Sequence, residues 1–155
     1  MLRARTPQGW FLITHPEHAR LAGVFAAAWG NERFRRPFPH PNTVQAVCRH
    51  DDGWATRDQS PKPTREGRPS AFGIDLVGKY SAFEEIDLDD YLGVRGRAME
   101  AVAAQNAYAA VLISMHTCNL LTDRADHSTI RPGDRPKLAA FLEMQEHRQE
   151  DLRRI

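Results

Sequence analysis

From Tyr108 to Leu121 the chain is apolar on nearly every side: Ala109, Ala110, Val111, Leu112, Ile113, Met115, Leu120 and Leu121 leave little polar face. A helix of this kind belongs at the centre of a fold, because each of its sides has to be covered by something else. That one segment predicts a helical bundle built around it. It also predicts that His116, in its middle, is buried whatever the helix's rotation.

The remaining elements follow from local signals. Residues 2–14 read as a small β-hairpin, with Pro7-Gln8-Gly9 as the turn and Trp10 to Ile13 as a short strand. Thr14, His15, Pro16 and Glu17 match a capping box and open a helix whose apolar stripe is Leu21, Phe25, Ala28 and Trp29. Projected backwards, that stripe carries His18, and His15 lies one turn earlier. Pro37, Pro39 and Pro41 make a stiff, non-helical connector, after which Asn42 or Thr43 caps a second helix that Gly53 ends. Residues 55–80 are punctuated by Pro61, Pro63, Gly67, Pro69, Gly73 and Gly78. A loop so long is either a functional cover, here expected over the site, or a mobile insertion. Helices are expected again over 89–104 and from the cap at Asp134, the latter carrying Leu138, Phe141 and Leu142 and turning charged after Glu146.

The stretch His50-Asp51-Asp52-Gly53-Trp54 carries the chemistry. Val44, Val47 and Cys48 run into it at helical spacing, so Asp51 falls on the face expected to be buried and His50 at that face's edge. A buried carboxylate needs a partner. With His18 and His116 on other helices, three imidazoles and a carboxylate can hold a first-row divalent metal, manganese, iron or zinc. His18, His50, Asp51 and His116 are the candidate ligands, with Asp52 orienting a bound water or holding a ligand histidine. The structural alternative is that each histidine simply hydrogen-bonds a carbonyl. Trp54 either lines a pocket for a ring or sugar or packs in the core. Arg124 either binds a phosphate or carboxylate or is solvated, and His15 is either a substrate contact or a surface capping residue.

An early histidine followed by an adjacent His-Asp pair resembles the HD superfamily of helical metal-dependent phosphohydrolases. The resemblance implies His18 (or His15) as first ligand, His50-Asp51 as the pair, and a distant aspartate for which Asp123 is the nearest candidate. Over most of its length the chain is similar to an uncharacterised bacterial family known as a domain of unknown function. The shared features are Gly9-Trp10-Phe11-Leu12-Ile13-Thr14, the run from His18 to Gly23, His50 to Trp54, and Ser114-Met115-His116. That resemblance implies further helices after this C-terminus, so the chain is read as a shortened member in which the missing helices either remove a ligand or leave an apolar face for a partner chain to cover.

Composition excludes several classes. Net charge is +1, so no polyanion partner such as nucleic acid is indicated. The two lone cysteines, Cys48 and Cys118, suit reduced thiols in a cytoplasmic protein. Neither a leader-like nor a membrane-length apolar run is present. With 155 residues, 41% hydrophobic and 26% charged, a single mostly α domain spanning 1–155 is expected. Its expected role is a metal-dependent hydrolase acting on a small-molecule phosphate ester or nucleotide. The alternatives are a non-catalytic helical metal- or ligand-binding module, homodimeric in one version, and an iron-dependent oxygenase-like site.

Overall fold

Five residues of extended chain on each side of a two-residue turn begin the molecule. Strand β1 (Leu2–Thr6) pairs antiparallel with β2 (Gly9–Ile13), Leu2 opposite Ile13 and Thr6 opposite Gly9. Gly9 takes a φ of +138°, a region open chiefly to glycine. A short strand β3 (Phe72–Gly73) adds to the other edge of β1 in parallel, giving the order β2-β1-β3. The computed structural model describes residues 1–64, 67–70, 72–73 and 87–155.

The main remaining elements among the described residues are helical: α1 (His15–Ala28), α2 (His40–Arg49), a 3₁₀ turn (Asp52–Trp54), α3 (Ala55–Gln59), α4 (Leu88–Ala103), α5 (Ala107–Asn119) and α6 (Arg135–Leu152). The expected mostly α architecture with an N-terminal hairpin is therefore present. Thr14 caps α1 by accepting the Glu17 N–H at 3.3 Å, as its capping-box spacing implies. The second helix begins earlier than its Asn42/Thr43 signal suggests. Pro39 precedes it and Pro41 lies within its first turn, where a missing N–H costs nothing. Asn42, spared from capping, instead accepts a hydrogen bond from Asn106 Nδ2 at 3.1 Å.

The orientation of α1 departs from its periodicity. Its buried face is His15, Pro16, Ala19 and Gly23, while Leu21, Val24, Phe25 and Trp29 are exposed. Small side chains decide this: a Cβ on Gly23 would stand 2.8 Å from Cys48 Cβ, so only glycine lets α1 and α2 approach so closely. Nor is α5 enclosed all round. Ala109, Ala110, Val111, Ile113, Ser114 and Thr117 are buried, but Tyr108, Met115 and His116 reach solvent, which corrects the expectation of a buried His116.

Two apolar clusters form the core. One gathers Trp54, Tyr91, Leu92, Leu121 and Phe141 with their neighbours; the other gathers Ala46, Met99, Val102, Ala110, Ile113 and Leu152. Helix α4 contributes to both. The end of α6, charged in sequence, still packs inward through Gln145, Gln149 and Leu152. Ser114 accounts for this: it donates to Gln145 Oε1 at 2.7 Å and accepts from Gln149 Nε2 at 2.9 Å, a polar seam between α5 and α6. No helix among the described residues is long and apolar enough to cross a membrane.

Candidate metal centre

Glycine at position 53 sets the geometry. A Cβ there would lie 2.3 Å from the Val94 carbonyl oxygen, so the chain leaving α2 runs flush against α4 only because Gly53 has no side chain. The same close pass lowers Trp54 into the core, fully buried, and brings Asp51 against Arg95 of α4. Arg95 Nη1 donates to Asp51 Oδ1 at 2.6 Å, and both side chains are buried. The other carboxylate oxygen, Oδ2, is approached from two sides. His18 Nδ1 stands 3.5 Å away and His50 Nε2 3.4 Å away.

Each imidazole is oriented by its own helix. His50, at the C-cap of α2, has its Nδ1 at 2.7 Å from the Val47 carbonyl oxygen. A proton on Nδ1 donates that bond and leaves a lone pair on Nε2, the arrangement typical of metal-ligating histidines. His18 projects from α1, and its Nδ1 is buried without a hydrogen-bond partner. One donor atom from each of His18, His50 and Asp51 lies within 4.8 Å of the others. Bonds of about 2.1 Å to a tetrahedral ion space its ligand atoms by roughly 3.4 Å. The two separations to Asp51 Oδ2 already have that value.

The electrostatics keep the carboxylate ionised. Burial alone would raise the Asp51 carboxyl, but His18, His50 and Arg95 beside it hold it well below the usual range, so it is charged. Burial pulls His50 down while Asp51 and the Val47 carbonyl pull it up, and the latter win. Partial burial of its ring, then the charges of Arg95 and His50, push His116 down to about 4. Its ring meets that of His50 edge-on, centroids 5.0 Å apart, and His50 meets His18 at 5.7 Å. The three imidazoles thus stand side by side, although the apolar stripe projected onto His18 faces solvent and His116 is exposed. The facing donor set is His18, His50 and Asp51, with His116 standing behind His50.

Other expected site residues lie elsewhere. Asp52 is engaged by Arg49 Nε at 2.9 Å. Trp54 is a core residue with no exposed surface, stacked on His15 with centroids 4.6 Å apart. Arg124 and Asp123 are exposed in the π-helical turn Leu120–Arg124. His15, read as a surface cap, is buried. It sits in a second polar cluster that sequence reasoning missed, joined to Asp58 of α3 and the Met1 amine. Asp58 accepts from the His15 backbone N–H at 2.6 Å and from the Met1 ammonium at 2.9 Å, and His15 Nδ1 stands 3.0 Å from Asp58 Oδ2. Burial lowers both the His15 and Met1 pKa values. The segment expected to be a loop over the site begins instead with α3, which joins α1 through Asp58; beyond it Arg3 of the hairpin reaches the Pro69 carbonyl and Arg57 reaches Ser70. Residues 65, 66, 71 and 74–80 of that segment lie outside the described residues.

Asp58 gives a pH prediction. Burial tends to raise its carboxyl, but the His15 contacts and the Met1 ammonium lower it from 3.8 to about 2. A depressed carboxyl contributes stability that is fully present above the unfolded value and disappears as pH falls through the folded one. Between pH 4 and 2, wild type should therefore lose roughly 2 kcal/mol from this group alone, by the linkage of about 1.4 kcal/mol per pH unit. In Asp58→Asn that part of the acid limb should flatten in urea titrations. An identical pH dependence in the two proteins would refute it.

The chain belongs to the protein family of unknown function DUF3891, whose model matches residues 1–155. No curated protein and no solved structure matches it. Membership carries no activity with it. Chemistry must come from the site.

Proposed function

We propose that the protein is a metal-dependent hydrolase whose divalent ion is held by His18, His50 and Asp51. The observation that carries this reading is the buried His18 Nδ1 facing the same carboxylate oxygen as His50 Nε2. Two imidazoles and one carboxylate leave coordination positions for water and substrate. A divalent ion bound there would supply a Lewis acid and a water of lowered pKa. In hydrolysis, the water oxygen bonds to the electrophilic centre, the bond to the leaving group breaks, and the water's proton ends on that group. The chain's own residues do the positioning. Val47 fixes the His50 tautomer, Arg95 fixes the Asp51 rotamer, and His116 stands beside the ligand ring.

Two other readings rest on specific features of the same cluster. A two-histidine, one-carboxylate set also serves iron oxygenases. And because Arg95 already neutralises Asp51, the cluster can be purely structural.

Elemental analysis of untagged protein separates them. About one manganese, iron or zinc ion per chain is expected. His50→Ala should weaken metal binding by more than the roughly 10–100-fold that loss of a second-shell partner costs. Iron retention with substrate-dependent oxygen uptake would move the assignment to oxygenase. Metal content near zero in wild type after incubation with each ion would leave only the structural role.

A further inference from the structure

Beside the donor cluster, between α2 and α5, lies a cavity of about 200 Å³ lined by Ala46, Val47, His50, Leu112, Ile113 and His116. We infer that this cavity receives the apolar part of a small uncharged ligand, a carboxylic ester or amide rather than a phosphate ester or nucleotide. The inference rests on the metal-centre reading for its chemistry, but on the cavity for its selectivity.

Three features support it. Four of the six lining residues are aliphatic, and none is lysine, arginine, aspartate or glutamate. A phosphate attached to a group in the cavity would bring its charges beside the Asp51 carboxylate, with no lysine or arginine in the cavity wall to meet them, and an unpaired charge placed there is costly. The nearby guanidinium of Arg95 offers no relief, since it is committed to Asp51. Size is the second feature. An apolar cavity of about 150 Å³ accommodates benzene, so this one takes a phenyl-sized or slightly larger group. Position is the third. His50 is both wall and donor: its ring closes the cavity while its Nε2 faces Asp51. A group filling the cavity therefore holds an attached carbonyl within a few ångströms of the donor cluster. The His116 ring, at the same end, offers that oxygen a polar neighbour.

The test uses benzamide and phenyl phosphate as probes, matched in ring and opposite in charge, and follows backbone amide shifts in the full chain. Benzamide should shift the amides of Val47, Leu112, Ile113 and His116 in metal-free protein. Leu112→Trp, which fills the cavity from a partly exposed position, should weaken benzamide binding at least about tenfold, the 1.4 kcal/mol expected of a blocked apolar subsite, and leave zinc binding unchanged. Phenyl phosphate should bind more weakly than benzamide at this site. Phenyl phosphate binding tighter than benzamide, or benzamide binding equally to wild type and Leu112→Trp, would overturn the assignment. Should wild type bind no metal yet take benzamide in a Leu112-dependent way, the hydrolase reading fails and the cavity assignment stands. Leu112→Phe, a smaller intrusion, keeps the test valid if the tryptophan variant does not fold.

Discussion

The Arg95→Met variant is expected to unfold on the order of 10 °C below wild type in chelator-treated buffer. Methionine preserves most of the arginine's apolar length, so the change isolates the guanidinium. Arg95 is 2% exposed and Asp51 4%. Removing one partner of a buried ion pair leaves an uncompensated charge and costs about 3–5 kcal/mol. In a chain of this length each kcal/mol moves the midpoint by roughly 2–4 °C. The variant also distinguishes a structural network from a metal centre. With Arg95 gone, Asp51 keeps the imidazoles of His18 and His50 beside it, and saturating zinc or manganese should recover much of the loss by binding the folded state alone. Differential scanning calorimetry with and without the ion reads both effects. A midpoint within about 2 °C of wild type, less than one kcal/mol by the same scaling, would show that the pair contributes no stability. Loss without metal rescue would count against the metal centre.

Trp54→Ala should cost about as much, roughly 3–5 kcal/mol, for a different reason. No part of Trp54 reaches solvent. Its ring stacks on His15, meets Tyr91 edge-on at 5.6 Å, and lies under the guanidinium groups of Arg57 and Arg95 at 5.8 and 5.7 Å. It thus separates two buried charged clusters, Asp51 with Arg95 and Asp58 with Met1. Truncation would leave a cavity lined by polar groups as well as apolar ones. Urea unfolding is the measurement. Trp29→Ala provides the contrast, since Trp29 is 53% exposed and should change stability by no more than about 0.5 kcal/mol. A larger loss at Trp29 than at Trp54 would mean that α1 presents its apolar stripe to the core after all.

That contrast marks where sequence periodicity misleads. The stripe Leu21, Phe25, Trp29 is the most hydrophobic face of α1, yet Ala19 and Gly23 are what the fold buries. Hydrophobicity ranks faces by transfer free energy. It does not register that a face of small residues lets two backbones come close enough to bury more of everything else. Arg95 is the opposite case, a residue whose role was legible and passed over. It lies four residues after Tyr91 and four before Met99, squarely on the buried stripe of α4. A cation in that position demands a buried anion, and Asp51 was already identified as one. Asp58 carried no such signal, because its partners are a backbone N–H, an imidazole and an amine 43 to 57 residues distant along the chain.

By itself the sequence determined the classes of element and much of their extent: the hairpin turn, the Thr14 cap, the helices α4 and α5, and the presence of His50-Asp51 at the end of a helix. These rest on interactions within a few residues, which pattern and propensity encode directly. Only the tertiary structure decided which donors share a centre, that Arg95 closes it from the other side, and that Trp54 is a core residue rather than a binding platform. Those outcomes depend on how closely helices approach, and that distance is set by Gly23 and Gly53, whose contribution is the side chain they lack.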